Sequence, residues 1–171
     1  MALITWQDSY NVGVDMIDAD HQLLVSLINQ LDDAMTSGAG TDTVGSVLNV
    51  LVEYTETHFG REELLMEKGS YPDLGPHKKE HAKLTAKVRA IVDRFNGGDT
   101  ESLDTEVMEF LRTWLTGHIL GVDRKYTPFV KDLTLTPDEL LASMSFGLDD
   151  DPSDAEDGWE QALAGAGTSS V

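Results

Sequence analysis

All five histidines of this chain occur beside acidic residues or beside one another, at spacings that suit metal binding. They are His21, His58, His77, His81 and His118. Residues four apart on an α-helix lie on one face, with Cβ atoms roughly 5–6 Å apart, so two such side chains can bind one ion. His77 and His81 meet this condition, and so do His58 and Glu62. These residues therefore predict a site for two metal ions.

His118 and Asp123 form a further pair, whose spacing does not fit a regular helix. Five residues at about 100° each place Asp123 roughly 140° away from His118 around the helix axis. Both side chains can face inward only if the helix is locally irregular. Gly121 lies between them and could permit an unwound or π-type turn. We therefore predict an irregular helix at this point.

The histidines lie within apolar stripes, where an imidazole without a partner is costly to bury. A single histidine on such a face is more often a hydrogen-bonded core residue than a ligand. Five histidines together, with two acids in register, favour metal ligation instead. The chain has no cysteine, which excludes disulfides, thiolate-bound zinc and iron–sulfur clusters. Any metal must therefore be held by nitrogen and oxygen atoms.

Four segments with helical periodicity carry these residues, and strand-like alternation is scarce. The segments begin near Asp18, near Thr41, after the loop 68–76 and near Thr100. Short connections make neighbouring helices antiparallel. The predicted fold is an all-α, antiparallel, up-down four-helix bundle with a short C-terminal helix and an acidic tail.

The composition changes beyond the bundle, which we assign to residues 1–131. Thr136 as a cap and Pro137 at the first helical position predict a short helix within residues 132–144. Residues 145–171 are rich in Asp, Gly and Ser and poor in apolar side chains. Such a segment buries too little apolar surface to offset its ordering entropy, so we expect a disordered acidic tail.

The charge of the chain narrows the choice of partners. Its 171 residues include 31 acidic and 12 basic side chains, a net charge of −19. Nucleic acids and anionic membranes bind clustered Lys and Arg, so we expect neither as a partner, and the negative surface favours a monomer. No apolar run approaches the ~20 residues that span a bilayer, and the first residues lack the pattern of a secretory signal. A cytoplasmic location is the default expectation.

The clusters and their flanking residues resemble hemerythrin, specifically the bacterial hemerythrins with an oxygen-carrying di-iron centre. The matching segments are Asp18-Ala19-Asp20-His21, His58-Phe59-Gly60-Arg61-Glu62-Glu63, His77-Lys78-Lys79-Glu80-His81 and Trp114 through Tyr126. The resemblance spans about residues 4–130 and includes every ligand position. It therefore implies a fold, a cofactor and a function together.

The implied cofactor is a pair of non-heme iron ions joined by an oxo or hydroxo bridge, with O2 as its ligand. Carried over residue by residue, the resemblance assigns His77, His81 and His118 to one iron. It assigns His21 and His58 to the other iron, and it makes Glu62 and Asp123 bridges between the two. The iron with two histidines keeps an open position, where O2 would bind.

Four apolar residues flank the ligand positions and, by the same resemblance, would line a dry pocket for O2. They are Phe59, Trp114, Leu115 and Ile119. Residues of these types are also ordinary bundle core, and the two roles are compatible. A dry pocket would slow the entry of water and the irreversible oxidation of the irons.

Two classes of function follow. The first, which we favour, is reversible O2 binding for storage or for delivery to an oxygen-requiring enzyme, without catalysis by this chain. The second is an oxygen or redox sensor that signals through the acidic tail to a protein docking there. Five histidines with two acids differ from the carboxylate-rich ligand set of ferritin-like oxidases, which favours a carrier. Peroxidase or nitric oxide chemistry ranks third, because no further acid–base residue is evident.

A zinc peptidase is a separate alternative. His77-Lys78-Lys79-Glu80-His81 matches the His-x-x-Glu-His signature, in which Glu80 would be the general base. Such a short pattern also arises by chance and needs its structural context. The peptidase hypothesis leaves His21, His58 and His118 without a role, so we disfavour it.

Overall fold

The structure is a computed structural model that describes residues 2–99 and 105–144. The predicted start of the fourth helix near Thr100 and the predicted disorder of residues 145–171 lie outside these described residues. Within them, the chain is helical and contains no β-strand. The same residues include no helix long and apolar enough to cross a bilayer.

Four long helices form an antiparallel bundle, which confirms the predicted fold class. They are α1 (Asp15–Thr36), α2 (Thr41–Lys68), α3 (Leu74–Asn96) and α4 (Thr105–His118). The other elements are a 3-10 turn (Asp8–Tyr10), a π-helical turn (Ile119–Asp123), α5 (Arg124–Val130) and α6 (Pro137–Ser143). Helix α1 packs against α2 and α4, and α2 packs against α3.

Two helices begin earlier than the sequence predicts. Helix α1 begins at Asp15 instead of near Asp18, whose carboxylate accepts hydrogen bonds from the backbone N–H groups of Val12 and Gly13, at 2.6 and 3.0 Å. Helix α3 begins at Leu74, within the predicted loop 68–76. Pro76 is tolerated there because N–H groups in the first turn have no partner within the helix.

The irregular helix predicted between His118 and Asp123 is confirmed as the π-helical turn. A π-turn closes with i→i+5 hydrogen bonds, so it accommodates one more residue than an α-helical turn. The imidazole of His118 and the carboxylate of Asp123 consequently meet at 3.1 Å. Gly121 has no steric part in this turn, because its φ is not positive and a Cβ there would meet nothing within 4 Å.

The predicted short C-terminal helix is confirmed as α6. Its start is a capping box, in which the Thr136 hydroxyl accepts from the Glu139 backbone N–H and the Glu139 carboxylate accepts from the Thr136 N–H. Lys68 on α2 donates to the Glu139 carboxylate at 3.1 Å and to the carbonyl oxygen of Thr134 at 2.9 Å. These contacts hold α6 against α2. The division into residues 1–131, 132–144 and 145–171 stays a prediction.

The bundle core predicts a clear contrast between two leucines of α1. Leu31 is 0% exposed within the core, so Leu31→Ala should lower the free energy of unfolding by about 2–5 kcal/mol, since it removes buried carbon and leaves a cavity. Leu23 is 41% exposed, and Leu23→Ala should cost less than about 0.5 kcal/mol. Urea titrations followed by circular dichroism measure both values. Equal losses would contradict the assigned core.

Candidate metal centre

Seven side chains converge in the interior of the bundle, and they are the seven predicted metal ligands. They are His21 on α1, His58 and Glu62 on α2, His77 and His81 on α3, His118 on α4 and Asp123 on the π-turn. We call this set the His–carboxylate cluster. No member is more than 6% exposed. Each long helix supplies at least one histidine, so the cluster exists only when the bundle is assembled.

The ligand atoms form two overlapping groups, each with its atoms within 4.8 Å of one another. One group contains Glu62, His77, His81, His118 and Asp123. The other contains His21, His58 and Glu62. The geometry therefore separates three histidines from two, in the same division that the resemblance implies.

Asp123 lies between the two groups of histidines. Its Oδ1 is 3.1 Å from Nε2 of His118 and 3.6 Å from Nε2 of His77. Its Oδ2 is 3.3 Å from Nε2 of His21. One carboxylate thus presents one oxygen to each side of the cluster, as a bridging ligand must.

Glu62 occupies the matching position on α2. Its Oε2 is 3.4 Å from Nε2 of His58 and 3.2 Å from Nε2 of His81, which belong to different groups. Its Oε1 accepts a hydrogen bond from the hydroxyl of Tyr126, a fully buried residue of α5. Tyr126 therefore fixes one oxygen of the carboxylate while the other faces the histidines.

The electrostatics of the cluster keep its acids ionised. Burial and the charge of Asp123 raise the pKa of Glu62, but His58 and His81 outweigh them and lower that pKa to about 2. The pKa of Asp123 is likewise held low by His118 and His21, against the effect of burial. Burial and the nearby acids raise the pKa of Tyr126 well above its usual value, so its hydroxyl stays a donor. Both carboxylates can therefore bind a cation at neutral pH.

The pKa values of two neighbouring histidines are shifted in opposite directions. Burial, together with the charge of His81, lowers the pKa of His77 to about 4. Burial also lowers the pKa of His81, but the adjacent carboxylates of Glu62 and Glu63 outweigh that effect and raise the pKa to about 9. A metal ion binds the neutral imidazole. A metal ion therefore competes with a proton more strongly at His81 than at His77.

Two carboxylates outside the cluster contact the far nitrogen of a cluster histidine. Oδ2 of Asp20 is 3.4 Å from Nδ1 of His58, and Oε1 of Glu63 is 2.8 Å from Nδ1 of His81. A proton on Nδ1 leaves the lone pair of Nε2 directed at the centre, which is how outer carboxylates orient metal-binding histidines. Glu63 and Asp20 therefore act on the ring orientation of two candidate ligands.

Asp20 is itself fixed by two donors, the hydroxyl of Tyr54 at 2.5 Å and the guanidinium of Arg61 at 2.6 Å. The sequence alone assigns no role to Asp20, Glu63 or Tyr126. A signal was available for the two acids: metal-bound histidines commonly donate their second N–H to a carboxylate, and both acids adjoin a predicted ligand in the chain. No comparable signal marks Tyr126.

The four predicted pocket residues lie on α2, α4 and the π-turn, the elements that also carry His58, His118 and Asp123. The ring of Phe59 is fully buried and stacks on the His81 ring, with centroids 3.8 Å apart and an interplanar angle of 8°. Trp114 is half-buried and meets Phe59 edge-on at 6.0 Å. Leu115 and Ile119 are buried on α4 and the π-turn. These residues keep apolar surface beside the cluster.

Several buried polar atoms of the cluster have no hydrogen-bond partner, and this tests whether the site suits a metal. They are both ring nitrogens of His21, Oε2 of Glu62 and both carboxylate oxygens of Asp123. An unsatisfied buried polar atom costs about 1–3 kcal/mol, and more when it is charged. Metal ligation would satisfy these atoms. The nitrogen and oxygen donors present therefore fit a pair of metal ions.

A helical bundle with a buried cluster of five histidines and two shared carboxylates defines a class of dinuclear metal-binding proteins. The family described as Hemerythrin HHE cation binding domain matches residues 12–130. The chain therefore belongs to the hemerythrin family.

Relatives and solved structures agree with this assignment. The chain is 39% identical to a bacteriohemerythrin of Stenotrophomonas maltophilia, over 77% of this chain and 84% of that protein. It is 33% identical to a bacteriohemerythrin of Methylococcus capsulatus, over 75% of this chain and 97% of that protein. A crystal structure of wild-type hemerythrin superposes with a TM-score of 0.70 at 32% identity, covering 76% of this chain and 99% of that chain.

The bond from Tyr126 to Glu62 predicts a loss of stability on removal of one oxygen atom. Tyr126→Phe should lower the free energy of unfolding by about 1.5–3 kcal/mol, because a hydrogen bond to a buried carboxylate is lost. Tyr10→Phe is the matched control, since Tyr10 is half-buried and packs edge-on against Trp6, away from the cluster. Urea unfolding in one buffer compares the two variants. A loss no larger in Tyr126→Phe than in Tyr10→Phe would refute the contribution of this bond.

Proposed function

We propose that this chain binds O2 reversibly at a pair of non-heme iron ions, for oxygen storage or for delivery to an oxygen-requiring enzyme. One observation carries the proposal: the cluster offers three histidines on one side of two shared carboxylates and two on the other. An ion with fewer protein ligands keeps a coordination position open for an external ligand. The asymmetry therefore supplies a place for O2.

The proposed ligands follow the two groups of atoms. His77, His81 and His118 would hold one iron, and His21 and His58 the other. Glu62 and Asp123 would contact both, because each presents atoms to both groups of histidines. Bound as a pair, the irons would supply the electrons that reversible O2 binding requires.

The side chains around the cluster would exclude water from it. Phe59 stacks on one face of the His81 ring, and Trp114 makes an edge-to-face contact with Phe59. Leu115 and Ile119 are buried aliphatic residues, three positions before His118 and directly after it. An active site that excludes water suppresses side reactions of its bound groups. We assign these four residues to the O2 pocket on this basis.

The contacts made by the polar residues around the cluster favour a carrier over an enzyme, including a peptidase. Asp20, Glu63 and Tyr126 are each engaged with a cluster residue, which leaves them positioning roles instead of proton transfer to a substrate. Glu80, the general base of the peptidase hypothesis, is 53% exposed and pairs with Lys83 at 3.1 Å. That placement argues against its use at the buried His77–His81 pair.

A sensor that signals through residues 145–171 to a docking protein is the second candidate. One observation favours it: α6, which directly precedes that segment, ends beside Glu63 and so lies close to the cluster. For either function we propose a monomer in the cytoplasm, with O2 as its ligand and without nucleic acid or membrane as a partner.

The test of the proposed function is an iron count with a visible spectrum recorded during cycles of air and argon. The anaerobically purified and reduced protein should hold two irons per chain and show a charge-transfer band that appears in air and fades under argon. His58→Ala should lower the iron content and abolish the cycling. Glu80→Gln, on a surface position of α3, should change neither. Zinc in place of iron, together with a peptidase activity that Glu80→Gln abolishes, would instead establish the peptidase.

The pocket predicts how one leucine controls the lifetime of the oxygenated protein. Leu115→Ala should shorten the half-life of air–argon cycling several-fold, because the space left by the side chain admits water to the cluster. Leu120→Ala changes a 39% exposed residue of the adjacent π-turn and should leave the half-life unchanged. Repeated cycling at constant temperature gives both half-lives. Identical values would remove Leu115 from the pocket.

A further inference from the structure

The helix α6 lies outside the residues that match the family, yet it packs beside the metal centre. The family match ends at residue 130, and α6 covers Pro137–Ser143. Ala142 and Ser143, at its end, line a crevice together with Glu63 and Lys78. Ser143 is almost fully buried. The end of the C-terminal extension therefore lies across a crevice from the outer side of Glu63.

Glu63 connects this crevice to a candidate ligand. Its Oε1 is 2.8 Å from Nδ1 of His81, and its Oε2 is 3.5 Å from the ammonium group of Lys78. The opposite nitrogen of His81 lies 3.2 Å from Glu62 in the cluster. A continuous series of contacts thus runs from Lys78 through Glu63 and His81 to the shared carboxylate, and the end of α6 lines the crevice at its outer end.

Polar contacts hold α6 in place to a large extent. Leu141 on α6 is 65% exposed, and Met144, the residue that follows the helix, is 66% exposed. The capping box of Thr136 and Glu139 and the bonds of Lys68 fix the start of the helix. A helix of seven residues is not stable by itself in water. Removing these contacts should therefore release α6 while the bundle core stays intact.

We propose that Glu63 is a positioning residue for His81, and that α6 shields Glu63 from water and so strengthens metal retention on the three-histidine side. The inference rests on the proposed ligand role of His81. A hydrogen bond between a carboxylate and an imidazole is stronger where water is excluded. Loss of such an outer carboxylate typically costs 10–100-fold in metal affinity. The C-terminal extension thereby acts on the metal centre without contacting it.

The first experiment compares two glutamates of α2 in the iron-loaded, full-length protein. Glu63→Gln should release iron to a chelator on the order of 10–100-fold faster than the parent. It should also raise the reduction potential of the irons, because His81 loses the negative charge that favours the ferric state. Glu67→Gln is the matched control, since Glu67 is exposed and lines the same crevice. It should change neither quantity.

The second experiment releases α6. Thr136→Ala/Glu139→Ala removes both halves of the capping box and the bond from Lys68 to the Glu139 carboxylate, whereas Leu141→Ala changes an exposed residue of the same helix. The double variant should lose iron faster than the parent, but less fast than Glu63→Gln. Combined with Glu63→Gln it should add nothing further, because both changes act through one contact. Circular dichroism checks that the bundle is unchanged.

The outcomes separate this inference from the proposed function. A parent protein that retains no iron would contradict both the inference and the proposed function. A parent with two irons, and a Glu63→Gln variant whose release rate and potential equal those of Glu67→Gln, would overturn the inference alone. The shielding role of α6 would be refuted if the capping-box variant released iron at the rate of the parent. It would also be refuted if that variant and Glu63→Gln had additive effects on the rate of iron release.

Discussion

Two ionised carboxylates, Glu62 and Asp123, lie fully buried in the centre of this bundle, and the rest of the structure depends on compensating them. A buried charge without a partner is strongly destabilising. Here all four long helices contribute a histidine to the surroundings of these acids, and α5 contributes the hydroxyl of Tyr126. The remaining unsatisfied oxygen atoms are those that a pair of cations would satisfy. Metal binding and packing of the bundle are therefore two aspects of one electrostatic requirement.

The same requirement explains the layers around the cluster. Asp20 and Glu63 contact the outer nitrogens of His58 and His81, which directs the inner nitrogens to the shared carboxylates. The π-turn brings Asp123 within reach of His118, which a regular helix cannot do. Apolar rings and aliphatic side chains fill the adjacent space. The cluster is thus surrounded first by the carboxylates that contact its histidines and then by apolar side chains. The extension α6 lies outside Glu63, beside the same crevice.

The four long helices, α6 and the pairs His58–Glu62 and His77–His81 could be predicted from the sequence, because periodicity and four-residue spacing are local properties. The irregular turn was predictable for the same reason, from the angle between His118 and Asp123, although Gly121 does not explain it. The full ligand set, with His21, followed from the resemblance. The start of α3 was misplaced because Pro76 reads as a breaker but fits a first turn. Asp20 meets His58 across 38 residues and Tyr126 meets Glu62 across 64. Such contacts are set by how helices pack, which no local pattern encodes.

X-ray diffraction at the iron absorption edge, on crystals of the iron-loaded protein, tests the central claim most directly. The account predicts two anomalous peaks inside the bundle, both beside Glu62 and Asp123. One peak should lie against His77, His81 and His118, and the other against His21 and His58. A single peak, a peak outside the His–carboxylate cluster, or a signal at the zinc edge alone would contradict the account.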